Sequence, residues 1–352
     1  MTNETYLGDN LIFLISQPRA GSTLLQHILA GSPRVQSAAE PWIMLHPIHA
    51  LRDDRSLTAV YDAHWAYLAT QNFLAEAVPD GEAAYLDAIR AFAQVLYGRA
   101  LAGTDAAYFL DKTPRYYRII PELYQLLPRA KFVFLWRNPL AVLQSILSTW
   151  ISENYWPRLA HNADDLRLAP GLMQTGIAQL GDAALVVRYE DLVTAPEATI
   201  TTLCEKLDLP FAPDMLTYGE RPALTGIVGD PAGIHQHSAP SAASLDKWRT
   251  LGDSRQTRHF GIAYLDDLGA DTVHAMGYDY ADLRATLAQM QPDAPAALVQ
   301  WRTVTKPAAQ WRFRERLAVE RGLAVQQAGS LKGNALFVAQ QAGRVIRKVV
   351  RR

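Results

Sequence analysis

Cysteine is all but missing from this chain: Cys204 is the single thiol in 352 residues. No intramolecular disulfide can form, which suits a reducing compartment. Long apolar runs are missing as well, and none approaches the roughly 20 residues that a bilayer span requires. Residues 1–10 are polar, without the basic and apolar regions of a secretory leader, so the expected location is the cytoplasm. Net charge is nearly absent too, at −1, but the sum hides a division. Residues 301–352 carry twelve Lys/Arg against two Glu, a balance of +10 that leaves −11 on residues 1–300. An acidic main body argues against general nucleic-acid binding. With 49% hydrophobic and 20% charged residues, the chain can bury a full core as one large or two modest domains.

What is present is concentrated near the start. An apolar, strand-like run over residues 11–15 meets Ser16-Gln17-Pro18-Arg19-Ala20-Gly21-Ser22-Thr23 and then a helix-like segment. A strand ending in a tight turn brings backbone N–H groups to the start of a helix, where unpaired amides and the positive dipole end favour an anion. Gly21 permits close backbone approach, Ser22 and Thr23 supply hydroxyl donors, and Arg19 supplies a permanent charge. A triphosphatase loop reads Gly, four residues, Gly, Lys, Ser/Thr. Here Ser16 stands at the first glycine and Ser22 at the lysine, and the missing lysine argues against triphosphate chemistry.

The stretch Pro18-Arg19-Ala20-Gly21-Ser22-Thr23-Leu24 resembles the 5'-phosphosulfate loop of sulfotransferases, with Ala20 as the one change. The resemblance implies binding of 3'-phosphoadenosine 5'-phosphosulfate (PAPS) as sulfuryl donor. More than a hundred residues on, the strand-like residues 131–136 run into Arg137-Asn138-Pro139, a helix start with Asn138 as cap and Pro139 in the first turn. Arg137 and Ser145 have the eight-residue separation with which sulfotransferases hold the 3'-phosphate; a guanidinium fork and a hydroxyl close on that group. Three further segments resemble the family in the expected order: Asp111-Lys112-Thr113-Pro114, Val187-Arg188-Tyr189-Glu190-Asp191-Leu192, and Ser244-Leu245-Asp246-Lys247-Trp248. By that resemblance Tyr189 approaches the nucleotide, and Lys247 with Trp248 closes over PAPS. Together the segments cover roughly residues 8–280, and residues beyond about 285 have no counterpart.

Sulfuryl transfer needs a base for the acceptor hydroxyl and cations for the leaving group; it requires no metal. Glu40 follows Arg19 by twenty-one residues, the interval of the catalytic glutamate in tyrosylprotein sulfotransferases, and is the expected base. Its plain alternative is a helix-capping carboxylate before Pro41. His46 and His49 are the fallback bases. Lys112 and Arg19 are assigned to the bridging oxygen and the sulfuryl group; the plain alternative for Lys112 is a surface ion pair with Asp111. His235 and His237 alternate as metal ligands do, but Asp230 is their only near carboxylate, so no metal is expected. The rival readings are a small-molecule or sugar kinase and a nucleotide-binding protein without turnover.

Strand-like runs at residues 11–16, 107–111, 131–136 and 184–189, separated by helical segments, predict parallel pairing through crossovers. The expected fold is a three-layer α/β domain with a short parallel sheet of the P-loop type. It spans residues 1–285, with a helical insertion at about 41–101 overhanging the phosphate loop as the acceptor cleft, followed by a basic helical extension over 286–352. In that extension Leu331, Ala335, Val338, Ala342, Val345 and Val349 form a helix stripe beside Arg344, Arg347, Lys348, Arg351 and Arg352. Such a helix docks on its own domain or in a homodimer, or lies on anionic lipid. The acceptor is expected to be a glycan or a hydroxylated small molecule.

Overall fold

The computed structural model describes residues 5–52, 63–151, 156–219, 221, 238–290, 299–306 and 310–328, with isolated positions at 335, 338 and 339. In chain order the elements are β1 (Leu11–Ser16), α1 (Ser22–Leu29), β2 (Val35–Ser37), α2 (Leu45–His49), α3 (Ala63–Ala77), α4 (Glu82–Leu101), β3 (Tyr108–Asp111), α5 (Ile120–Leu126), β4 (Lys131–Trp136) and α6 (Pro139–Trp150). There follow α7 (Ala163–Arg167), α8 (Ala169–Leu180), β5 (Ala184–Arg188), α9 (Tyr189–Thr194), α10 (Pro196–Leu207), α11 (Arg255–Leu268), α12 (Ala270–Ala275), α13 (Tyr280–Gln289), α14 (Trp301–Val304) and α15 (Phe313–Ala328). They sort into two compact units, each discontinuous in the chain: Met1–Trp136 with Thr175–Ala242, and Arg137–Gln174 with Ala243–Arg352.

The first unit is built on a five-stranded sheet in the order β2-β3-β1-β4-β5, every pair parallel. All six residues of β1 are buried, as are five of the six in β4, the near-continuous apolar pattern of central strands covered on both faces. The predicted parallel pairing is met, and these two strands are direct neighbours, with Ser16 opposite Leu135. The chain leaving β1 goes on to β2 at one edge, whereas the chain leaving β4 returns as β5 at the other. Opposite departures from neighbouring strands make their carboxyl ends the switch point of the sheet, where ligands of α/β folds bind.

The second unit gathers around Phe260 of α11, which is fully buried. Its ring meets Trp156 edge-on at 5.2 Å and Trp301 at 5.9 Å. Gln256, also fully buried, donates to the Val299 carbonyl at 2.7 Å and accepts from the Val299 amide at 2.5 Å. The same amide side chain thus satisfies both backbone groups of one residue and holds the segment leading into α14. Trp301 is 2% exposed and donates from its indole to Asp267. Among the described residues no helix is long and apolar enough to cross a membrane.

Candidate active site

The β1–α1 connection is a donor surface. Gln17, Pro18 and Ala20 are buried, and Arg19 and Gly21 take left-handed backbone at φ 68° and 96°, which turns the chain from strand to helix within five residues. Gly21 is the N-cap of α1, and the first turn of that helix carries no acidic side chain, so nothing there opposes an anion. Glycine is required at 21 for a second reason. A Cβ built there would lie 2.4 Å from Cδ2 of Tyr189, whose ring opens α9 and packs against the loop.

Lys112 follows β3, the neighbour of β1, with Phe13 opposite Asp111. Its side chain is 1% exposed. Nζ donates to Glu40 Oε1 at 2.6 Å and lies 3.5 Å from Thr23 Oγ1 in the first turn of α1. Glu40 Oε2 also accepts from the Trp42 indole at 3.4 Å. This overturns the plain alternatives for both residues. Lys112 is buried and pairs with Glu40, not with Asp111 at the surface. Glu40 caps no helix, because the next one, α2, has Met44 as its N-cap.

The backbone bearing Glu40 is strained. Glu40 and Trp42 both have positive φ, 21° and 61°, a conformation that costs a non-glycine residue on the order of 1–3 kcal/mol and clusters at functional sites. It is held from several sides. Gln26 of α1, 1% exposed, donates to Ser37 Oγ at 2.9 Å and to the Ala38 carbonyl at 2.8 Å, tying the end of β2 to the phosphate-loop helix. Arg115 lies over the Trp42 ring at 5.5 Å.

Below this segment sits a carboxylate that sequence reasoning did not single out. Asp111 is fully buried, at 0% exposed. Tyr97 and Tyr116 donate to its Oδ2 at 2.7 and 2.8 Å, and Thr113 donates to Oδ1 at 2.9 Å. Burial pushes the Asp111 carboxyl up to about 6, against the opposing pull of these three donors and of Lys112. Desolvation likewise holds Tyr97 and Tyr116 well above the usual phenol range.

Four more of the expected site residues, Arg137, Ser145, Lys247 and Trp248, belong to the second unit. Arg137 is buried at its entry. Asn138 caps α6 by accepting from the Leu140 amide at 2.9 Å, with Pro139 in the first turn, as predicted. Ser145 is half-buried on the same helix. The short 3-10 segment Lys247–Asp253 packs on α6; Trp248 is buried with Arg249 over its ring at 5.0 Å, and Lys247 is exposed. The fallback bases lie on α2, His46 exposed and His49 half-buried. Asp230, His235 and His237 lie outside the described residues.

A strand–loop–helix with no acidic residue in the first helical turn, beside a buried lysine–carboxylate pair, is an arrangement suited to a phosphate-bearing group. The class narrows with its relatives. The model of the sulfotransferase family matches residues 11–213, and the chain belongs to that family. It is 29% identical over 289 residues to nodulation protein NoeE of Sinorhizobium fredii strain NGR234, covering 76% of this chain and 66% of that protein. It is 24% identical over 227 residues to protein-tyrosine sulfotransferase 1 of Danio rerio, covering 64% and 58%. The chain therefore spans less than two thirds of the length of either. A solved structure, the sulfotransferase domain of the Synechococcus PCC 7002 olefin synthase, aligns at 27% identity and a TM-score of 0.48, covering 76% of this chain and 94% of that one.

Proposed function

We propose that the protein is a PAPS-dependent sulfotransferase acting on a hydroxyl of a glycan or small-molecule acceptor. One observation carries the reading: the buried Lys112 ammonium lies 2.6 Å from the Glu40 carboxylate and 3.5 Å from the Thr23 hydroxyl in the first turn of α1. The family's donor fits this chain's side chains, since the loop offers amides, hydroxyls and Arg19 with no carboxylate in the first turn of α1. Bound there, PAPS supplies an activated sulfuryl group, which passes to the acceptor oxygen with release of 3'-phosphoadenosine 5'-phosphate.

The chain's residues then divide the work. Arg19, Ala20, Gly21, Ser22 and Thr23 hold the 5' end through the loop and the dipole of α1. Arg137 and Ser145 hold the 3'-phosphate, and Tyr189, Lys247 and Trp248 complete the nucleotide contacts. Glu40 takes the proton of the acceptor hydroxyl. Lys112 and Arg19 stabilise charge as it develops on the leaving oxygen and the sulfuryl group. The helical insertion at about residues 41–101 is assigned to the acceptor.

Calorimetry tests the donor. Magnesium-independent binding of 3'-phosphoadenosine 5'-phosphate is expected, and a preference for Mg-ATP would favour a kinase instead. Binding without transfer of labelled sulfate to any of a broad panel of sugars, phenols and hydroxylated metabolites would point to a nucleotide-binding protein. Glu40→Gln should keep donor affinity while lowering turnover by roughly a hundredfold or more. Near-normal turnover in that variant would move the base to His46 or His49.

A further inference from the structure

We propose that Asp111 is a positioning residue for sulfuryl transfer: from beneath the site, it suspends the backbone that carries Glu40. The inference rests on the reading of Glu40 and Lys112 given above. Each carboxylate oxygen of Asp111 starts its own chain of hydrogen bonds. From Oδ1 the chain runs to the Thr113 hydroxyl at 2.9 Å, which accepts from the Trp42 amide at 3.1 Å. From Oδ2 it runs to the Tyr116 hydroxyl at 2.8 Å, which accepts from the Met44 amide at 3.2 Å. Both relays end on the segment just after Glu40, and Trp42 is one of its two strained residues.

The direction of these bonds depends on the chemistry of residue 111. A carboxylate only accepts, so both hydroxyls must turn their protons toward it. Their lone pairs are then left to accept from the two backbone amides. Asparagine at 111 would present one N–H₂ group, so the hydroxyls on that side would lose their acceptor and the relay through them would lose its fixed direction. Tyr97 supplies the control. It donates to the same oxygen as Tyr116, at 2.7 Å, and both side chains are nearly or fully buried, at 1% and 0%; Tyr97 has no hydrogen bond among those described to residues 42–44. Lys112, the residue after Asp111, reaches Glu40 from the same chain position, so one buried group sets both ends of the 2.6 Å pair.

The test combines backbone amide exchange with kinetics on the full-length protein. Asp111→Asn should speed exchange at Trp42 or at Met44, according to which carboxylate oxygen the amide nitrogen replaces, Thr113→Val at Trp42, and Tyr116→Phe at Met44. Turnover in Asp111→Asn should fall roughly ten- to a hundredfold, the scale of a small misplacement of reacting groups. The KM for PAPS and the affinity for 3'-phosphoadenosine 5'-phosphate should stay within about threefold. Tyr116→Phe should lower kcat more than Tyr97→Phe, although each removes one hydroxyl from the same oxygen. Adding Asp111→Asn to Glu40→Gln should cost little further turnover, because both changes act through one group. Unchanged exchange at Trp42 and Met44 in Asp111→Asn would overturn the inference, and so would equal kcat effects of the two tyrosine variants or fully additive losses in the double variant. If the wild type moves no sulfate while exchange responds as expected, the proposed function fails and the anchoring role of Asp111 stands.

Discussion

The buried Asp111 should write its presence into the pH dependence of stability. Its carboxyl rises from 3.8 to about 6 on folding, with burial as the largest cause. The groups facing it are Tyr97 of α4, Tyr116 and Thr113 after β3, and the adjacent Lys112, and none of these outweighs the loss of solvent. Between about pH 4 and pH 6 the folded chain therefore holds a proton that the unfolded chain has released. The slope of stability with pH follows protons bound unfolded minus folded, so this group makes the protein less stable as pH rises. Its contribution is fully present below about pH 4 and is lost through about pH 6. A shift of about two units at 1.36 kcal/mol each is about 3 kcal/mol. Other carboxylates titrate in the same range, so the quantity to measure is the difference between wild type and Asp111→Asn, whose amide does not titrate. Denaturant unfolding of both proteins at several pH values from 4 to 7.5 supplies it. Whatever constant offset the altered hydrogen bonds introduce, the difference should move against the wild type by about 3 kcal/mol as pH rises, on the order of 5 °C in Tm. Parallel stability curves for the two proteins over that range would refute the reasoning. The predicted result would also mean that, at neutral pH, the protein keeps an ionised group that an uncharged side chain would make less costly to bury, which is the expected mark of a group retained for its role in the site.

Gly21→Ala should both strain the left-handed turn and drive a methyl into the Tyr189 ring; a stability loss of about 2–4 kcal/mol and loss of nucleotide binding are expected, with Tyr189→Ala relieving only the clash. Arg137→Ala should weaken binding of 3'-phosphoadenosine 5'-phosphate without a comparable fall in saturated turnover, as calorimetry and steady-state kinetics would show; a pure kcat effect would count against its assignment. Cys204 is buried and its thiol is pushed up to about 11, so alkylation by a maleimide at neutral pH should wait for unfolding, and rapid labelling of the native protein would contradict its placement. Truncation after Met290 should lower Tm by several degrees, because it removes Val299 and Trp301 from their places on α11. The intact protein should not bind anionic vesicles at low salt; vesicle binding that the truncation abolishes would assign the basic residues 301–352 to lipid instead.

The parts of the molecule that could be read from sequence are those whose physics is local. β1 and β4 have their predicted ends because an uninterrupted apolar run between a turn and a cap admits few other readings, and Asn138-Pro139 starts α6 for reasons held within three residues. The run expected to end at Tyr189 stops one residue sooner, since Tyr189 opens α9 and turns its ring onto Gly21. β2 was missed because Val35–Ser37 is too short for alternation to rise above its surroundings; its place comes from pairing with β3. The discontinuous second unit left no mark in composition, because the contacts that join its two stretches, such as Trp156 on Phe260, link residues far apart in the chain.

Asp111 was missed for a different reason, one that strand geometry could have exposed. Read as letters, Asp111-Lys112 is an ion pair waiting to form. Successive residues at the end of a strand point to opposite faces, so a lysine aimed toward the phosphate loop leaves its aspartate aimed into the core. An aspartate aimed into the core must find donors, and a short-range search finds Thr113 and Tyr116, two and five residues on. Tyr97, fourteen residues back on α4, lies beyond such a search. The same parity argument applies to any charged pair that closes a buried parallel strand beside a phosphate loop: the partner that does not face the ligand belongs to the scaffold that holds the site.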